Sequence, residues 1–501
     1  MSQRRAPALR AARPTVKSRA TAAPSTAATW AVIALFVAAR VFMLLAQPWA
    51  SEDAYITFRY AWHLAHGNGL VFNPGEWVMG FTSPLWTLWC ALGITLGAAP
   101  ETWAQWTSLL FGAWALHTAM QQLARHASRT SAVAFGLAYA LWPLFSALTA
   151  SGLEMEFLFA GMVIAGTQVH ARGRGAGVAL GLLALTRPEG TVAALVLACF
   201  ADRRARLVGG AIVALGAGLL AWAYGSPLPH SVLAKRTLYG TPGPWVGRHW
   251  LDWLLPLPML THTAAREGAH LARLGWLWLP AAVLGVPAAI RLRATPVAWI
   301  ALAGLTVWAG YAALGVAYFW WYSMIPVVTL FWLAALGLSR LPRWATRWPV
   351  LAAAALILAL SWLDLFPVYL GRAQNEFRTF HPIADALRSR AHPSDLVMAE
   401  PIGLIGFVTM LPILDESGLV SPETLQRRKL GDGWYTDLVA RRHPRWLVIR
   451  PAVLATGEAF AGRGRPFRDD AGRLAILRDY HSVWPVAPAQ SDALWLMERR
   501  P

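Results

Sequence analysis

Apolar positions along this chain gather into long runs instead of alternating, and the polar stretches between them are short and punctuated by Pro and Gly. Runs near 28–48, 103–124, 131–149, 157–170, 175–187, 190–201, 207–224, 274–290, 296–315, 324–339 and 349–366 predict eleven spanning helices, since a bilayer core takes roughly 20 apolar residues per crossing. A further run, PLWTLWCALGITLGAA at 84–99, starts on Pro84 and is only 16 residues long. From residue 371 the pattern changes, with 15 acidic and 18 basic residues in the last 131, more charge than a bilayer segment tolerates. There, SDLVMAE, PRWLVIRP and RLAILRDY predict short strands, and HPIADALRSRAH predicts a helix ended before Pro393.

Charge orients these runs. Basic residues cluster in the N-terminal arm and at Arg125/Arg129, Arg172/Arg174, Arg203/Arg204/Arg206, Arg291/Arg293 and Arg340/Arg343/Arg347, 18 in all, with Asp202 the one acid among them. The alternate loops carry seven basic residues and nine acids. The excess of Lys and Arg marks the cytoplasmic side, so the acid-bearing loops face out. Counting 84–99 as a span would carry Arg125 and Arg129 to the outer side, so it reads as a juxtamembrane or re-entrant helix. The predicted fold class is mainly α, a polytopic transmembrane helical bundle of 11 spans with a small C-terminal extracytoplasmic α/β domain. The divisions are a disordered basic cytoplasmic arm at 1–27, a transmembrane catalytic domain at 28–370 with a first outer loop at 49–102, and a soluble domain at 371–501.

Composition agrees: 56% hydrophobic residues, a mean hydropathy of +0.42 and 28 Trp lie outside the soluble range. A net charge of +18 and a pI near 10.9 would suit a nucleic-acid binder only if the basic residues shared one soluble surface, and they do not. Cys90 and Cys199 both lie in apolar runs, which excludes a disulfide framework. Neither a Gly-rich phosphate loop nor a His/Cys cluster at metal-ligand spacing occurs.

Candidate chemistry collects on the outer loops. Ser51 is placed to cap a helix running to HGNG at 66–69. At 100° per residue, Glu52 shares a stripe with Arg59, whereas Asp53 points roughly 100° away, so the adjacent carboxylates are not equivalent. Both would also be favoured in a first helical turn by the helix dipole alone. Three more polar stretches sit at span ends: SGLEMEF with Glu154 and Glu156, LTRPEG with Arg187 and Glu189, and PLPHSVLAKR with His230, Lys235 and Arg236. Each has a plainer reading: Glu154 and Glu156 facing solvent, Arg187 and Glu189 pairing across a hairpin of two half-length helices, Lys235 and Arg236 snorkelling to headgroups. Glu52, Asp53, Glu154 and Glu156 could hold a divalent cation if they converge. The aromatic run AYFWWYSM at 317–324, with Tyr322, could line a sugar or prenyl groove or form an interfacial belt.

Carboxylates and cations on one face of a bilayer suit transfer of a sugar from a lipid phosphate. The acceptor hydroxyl needs a base near the anomeric carbon, a role for Asp53, and the departing phosphate needs cations at headgroup depth, a role for Lys235, Arg236 and Arg187. A lipid-linked-sugar flippase is the rival, though such transporters usually show internal repeats and midplane polar residues. Here the spans are nearly charge-free apart from Arg40.

The stretch EDAYITFRYAWHLAHGNGLVFNPGEWVMGFTSPLW, followed in order by SGLE, LTRPEG and PLPHSVLAK, resembles the GT-C class of glycosyltransferases that use polyprenyl-phosphate sugars. The likeness is strongest to the terminal arabinofuranosyltransferases of mycobacterial cell-wall assembly and related pilin arabinosyltransferases. EPIGLIGFVTMLPILDESGLVSP resembles their C-terminal domain. The resemblance implies an acidic pair in catalysis, here Glu52 and Asp53 where two aspartates are usual, so the essential carboxylate is carried onto Asp53. His230 stands where asparagine is expected. It also implies a lipid-linked donor, with arabinofuranose as the candidate sugar, and a glycan, lipid or protein hydroxyl as acceptor, which the C-terminal domain helps to hold. The candidate donor-binding residues are Arg59, Arg187, Glu189, His230, Lys235, Arg236 and Tyr322. The expected setting is the cytoplasmic (inner) membrane, in contact with membrane lipids and not nucleic acid, with the active site facing away from the cytoplasm.

Overall fold

A computed structural model of the chain describes residues 26–239, 277–314, 319–342, 349–457, 464–484 and 494–501. The expected disordered arm lies outside the described residues up to 25, as do Arg343, Arg347 and positions 317 and 318 of the aromatic run.

The apolar runs form helices close to where they are predicted: α1 (Thr26–Ala46), α4 (Pro100–His126), α5 (Arg129–Leu141), α6 (Pro143–Ala150), α7 (Met155–His170), α8 (Ala176–Ala184), α9 (Pro188–Ala198) and α10 (Arg203–Tyr224). Between the first two of these, α2 (Glu52–Ala65) and α3 (Pro84–Thr95) occupy the predicted first loop. After α11 (His230–Tyr239) come α12 (Trp278–Arg291), α13 (Pro296–Leu314), a 3-10 turn (Trp320–Ser323), α14 (Met324–Leu338) and α15 (Pro349–Arg390). Among the described residues, five helices are long and apolar enough to cross a membrane, or six when α5 and α6, bent by 54°, count as one. The expected count of eleven is not confirmed. The runs at 175–187 and 190–201 become helices of 9 and 11 residues, at about 1.5 Å per residue too short to cross singly, folded as a hairpin about Arg187. The bend at Pro143 follows from its missing N–H, and α3 is a 12-residue apolar helix, short as expected.

Helix α14 is buried along its whole length. Gly285 of α12 and Gly337 of α14 let the two backbones touch, because a Cβ at either would collide with a carbonyl of the other helix.

Helix α15 runs 42 residues without a break, so the compositional boundary at 371 falls inside a helix. Its C-terminal turns bury Ile383 and Leu387 against a five-stranded sheet of order β2-β1-β3-β5-β4. The strands are β1 (Val397–Ala399), β2 (Ile413–Asp415), β3 (Trp446–Ile449), β4 (Tyr480–Trp484) and β5 (Trp495–Arg499). β1 is parallel to both β2 and β3, while β5 runs antiparallel to β3 and to β4. Period-two alternation splits two cores: Val397, Ile413, Trp446 and Val448 face the side of α16 (Gly403–Thr409), and, past α17 (Pro422–Lys429) in the chain, Met398, Leu414, Leu447 and Ile449 face α18 (Trp434–Arg442), α19 (Pro451–Thr456) and α20 (Asp470–Asp479). The predicted strand RLAILRDY is instead most of α20. Asp469 caps it by accepting from Gly472 N at 2.8 Å, and the strand begins only at Tyr480.

Candidate functional site

The acid pair opens α2, whose first turn is clamped from two sides. Ser51 occupies the N-cap position, yet its hydroxyl donates to Glu376 Oε2 on α15 at 3.3 Å instead of capping its own helix. Glu52 N donates to the same carboxylate at 3.1 Å, and Arg372 Nε lies 3.6 Å from Glu376 Oε1. The Glu52 side chain accepts from Gly403 N at the start of α16, where only glycine fits because a Cβ would collide with the Glu52 carbonyl. Burial first, then the neighbouring Asp53, holds the Glu52 carboxyl well above its usual range. Asp53 differs: among the described residues its side chain has no hydrogen-bond or ion-pair partner. One carboxylate is built into the scaffold, and its neighbour is left free.

Arg59 is corrected. It is fully buried and donates to the carbonyls of Phe72, Gly406 and Leu411 at 2.7, 2.7 and 2.8 Å and to Asn73 Oδ1 at 3.2 Å. Burial pulls its pKa to about 9. With its donors engaged, the guanidinium ties the first loop to the C-terminal domain and offers nothing to a phosphate.

Glu154 and Glu156 are buried, so neither faces solvent. They also enter separate networks and do not converge with the acid pair. Glu154 pairs with Arg187, which also engages Glu189 at 3.0 Å, with Tyr311 donating to Glu189 Oε1 at 2.8 Å and Tyr322 beneath the guanidinium at 5.6 Å. Glu156 accepts from Tyr139 and from Thr149 and lies 3.6 Å from Arg40. Among the described residues no group of three or more His, Cys, Asp or Glu is arranged to hold a metal ion. Arg187 thus pairs with Glu189, as the hairpin reading has it, and with Glu154 as well.

The remaining cation site is α11. Lys235 Nζ sits 4.8 Å from the Phe319 ring and 5.8 Å from that of Trp321, while Arg236 is exposed. His230 is held by its backbone N, 2.8 Å from Met79 O, and its ring borders Gly418, with burial lowering its pKa.

These groups meet at the end of the bundle that carries the C-terminal domain. Ser51 N donates to Ser151 O of the SGLE stretch at 2.9 Å, and Trp86 Nε1 donates to Gly152 O at 3.1 Å. Arg372, partner of Glu376, lies 6.0 Å from the Trp320 ring, beside the two aromatics that flank Lys235. The sequence reading missed Glu376, Gly403 and Tyr311, which become neighbours of the motifs only through tertiary packing. Arg40 had a signal, as a lone charge inside an otherwise apolar run.

Comparison with known proteins places this architecture. Residues 368–495 match a family described as "Domain of unknown function (DUF8728)". No curated protein matches the sequence. Among solved structures, ArnT from Cupriavidus metallidurans bound to undecaprenyl phosphate superposes with a TM-score of 0.61 at 14% identity, over 94% of this chain and 98% of that one. An oligosaccharyltransferase from Archaeoglobus fulgidus, tethered with an acceptor peptide, superposes with a TM-score of 0.50 at 13% identity, over 95% of this chain and 74% of that one. The mycobacterial arabinofuranosyltransferase AftD is matched more loosely, with a TM-score of 0.45 at 15% identity, over 95% of this chain and 42% of that one. The first two of these are GT-C glycosyltransferases. The chain has the GT-C fold, and its apolar helices make it a multi-pass membrane protein.

Proposed function

We propose that the chain is an integral-membrane glycosyltransferase that moves a sugar, with arabinofuranose as the candidate, from a polyprenyl phosphate to an acceptor hydroxyl on the outer side of the cytoplasmic membrane. The observation that carries this reading is the division of labour in the acid pair. Glu52 is spent on Gly403, while Asp53 stands unengaged at the junction of bundle and C-terminal domain. A base needs a carboxylate that can reach a substrate proton, and Asp53 meets that need. ArnT, of the same fold, is bound to undecaprenyl phosphate, and the archaeal oligosaccharyltransferase is tethered with an acceptor peptide. Both support a lipid-linked donor and a hydroxyl- or amide-bearing acceptor for this fold.

In the proposed step the acceptor oxygen bonds to the anomeric carbon as the bond from that carbon to the phosphate oxygen breaks. The hydroxyl proton passes to Asp53, and the bonding pair leaves with the polyprenyl phosphate. Lys235 and Arg236, at one end of the aromatic patch, are the cations offered to that developing charge. Arg187, neutralised by two carboxylates, braces the patch through Tyr322.

The test is release of polyprenyl phosphate from a panel of polyprenyl-phosphate sugars, arabinofuranose included, by purified wild type and Asp53→Asn. Release by wild type alone supports the reading and names the donor. Folded wild type that releases nothing from any donor, with or without oligosaccharide acceptors, shifts the assignment to a flippase.

A further inference from the structure

Helix α15 brings to the acid pair two ionisable side chains that no motif marks, Arg372 and Glu376. Spaced i and i+4, they share a helix face with Tyr369, one turn nearer the bundle, whose ring lies 5.8 Å from that of Trp320. Trp49 pins the turn beside them, donating through Nε1 to Ala373 O at 3.0 Å and stacking on Phe377 at 4.8 Å. This stretch of α15 is therefore fixed against both the start of α2 and the aromatic patch.

Glu376 does for α2 what the helix's own N-cap residue does not. Ser51 leaves the first turn uncapped, and the Glu376 carboxylate accepts from the Ser51 hydroxyl and from Glu52 N instead, a cap supplied by another helix. Asp53 is the next residue, and its charge acts on Glu376. Arg372 stands on the other side of the same carboxylate, with Nε 3.6 Å from Oε1.

Arg372 differs from the other arginines at this end of the bundle. Arg59 is engaged by three carbonyls and Asn73, and Arg187 by two carboxylates. The Arg372 side chain is 29% exposed and, among the described residues, makes no hydrogen bond, since 3.6 Å is too long for one. Its guanidinium lies 6.0 Å from the Trp320 ring. A guanidinium presents five N–H donors in a rigid fork that matches a phosphate. Held between a carboxylate and an aromatic face with its donors open, this one is placed to take an anion.

The proposed transfer states where that anion has to be. The acceptor oxygen attacks from about 3–3.5 Å, and the leaving phosphate oxygen is bonded to the carbon attacked, so the phosphate lies a short span from Asp53. The carboxylates Asp53 and Glu376 repel a phosphate there, and a cation has to answer them. Lys235 stands at the other end of the aromatic patch, connected to Arg372 across Trp321 and Trp320. Arg372 is the cation tied to the cap of the acid pair itself.

We infer that Arg372 is a catalytic residue that donates to the donor phosphate as the anomeric carbon–oxygen bond breaks and its electron pair moves onto the leaving oxygen. Glu376 is then a positioning residue, aiming Arg372 and capping the helix of Asp53 with one carboxylate, so that one face of α15 sets base and leaving group in register. This inference rests on the glycosyltransferase reading above and adds a third cation to Lys235 and Arg236.

The test measures direct binding of farnesyl phosphate and of uncharged farnesol to the purified full chain. The wild type is expected to prefer the phosphate. Arg372→Gln is expected to cut that preference about tenfold or more, the worth of a hydrogen bond to a charged group, and Arg372→Lys to keep part of it. A folding defect lowers both ligands alike, so the ratio reads the phosphate contact. Glu376→Gln keeps an amide oxygen for Ser51 and Glu52 N and leaves no charge for Arg372 to neutralise. In that background Arg372→Gln is still expected to cut the preference. No preference in the wild type, an unaltered preference in Arg372→Gln, or an effect that vanishes in the Glu376→Gln background, where Arg372 would have served Glu376 alone, overturns the inference. Failure of the parent reading is separate, since it shows as donor release that is absent or independent of Asp53.

Discussion

Asp53 and Glu52 are adjacent in sequence and opposite in employment. Asp53→Asn keeps the volume and removes the base, so transfer is expected to fall by about 10²-fold or more while folding is retained. Glu52→Gln keeps an acceptor for Gly403 N through its amide oxygen and should cost less, with kcat as the readout. Equal losses in the two variants would sink the distinction. That distinction was half legible in the sequence: helical geometry separates the two side chains by 100°, but only the fold shows which is engaged. The same scale carries a pH prediction. Burial, reinforced by Glu400, pushes Glu416 up to about 8, so the folded state binds a proton that the unfolded state releases near the ordinary carboxylate pKa of 4.5. The C-terminal domain should therefore lose stability as pH rises from about 4.5 to about 8. Thermal unfolding across that window checks this, and Glu416→Gln should flatten the slope.

Helix α2 works as an element because it is docked at its first turn and at its middle. Its first turn is held by Glu376 and Gly403, and Arg59 fastens its middle to three carbonyls. Arg59→Met leaves those carbonyls without their charged donor and is expected to cost about 3–5 kcal/mol, seen as a lower Tm, while the donor KM of the folded fraction stays put. A raised donor KM at unchanged Tm would restore a phosphate role. The sequence placed α2, its HGNG stop and the short apolar α3, because caps, glycines and run lengths are local signals. It misassigned RLAILRDY, where an apolar run of strand length sits behind an Asp cap, and it missed β2, β4 beyond Tyr480, and β5, strands of three to five residues whose pairing is set by distant partners. It also read two half-length helices as spans, since an apolar run does not report whether it turns back at Arg187.

At the scale of the whole molecule, α15 is the beam that joins the two halves, and the acid pair lies where they meet. The bundle supplies Glu376, the C-terminal domain supplies Gly403, and α2 is held between them. The composition change at 371 suggested a separable domain hung beyond the bilayer, because charge density is legible along a chain and docking is not. The docking gives the domain a second duty. Deleting residues 391–501 removes β1 and α16, so it frees the Glu52 carboxylate, strips the carbonyl partners Gly406 and Leu411 from Arg59, and uncovers Ile56 and Tyr60 of α2. The truncated chain is therefore expected to lose polyprenyl-phosphate release as well as acceptor binding, and hydrogen exchange across 52–65 should rise together with that loss. Were the domain an acceptor platform alone, release to water would persist and α2 would stay protected, and the junction would then owe its catalytic geometry to the bundle.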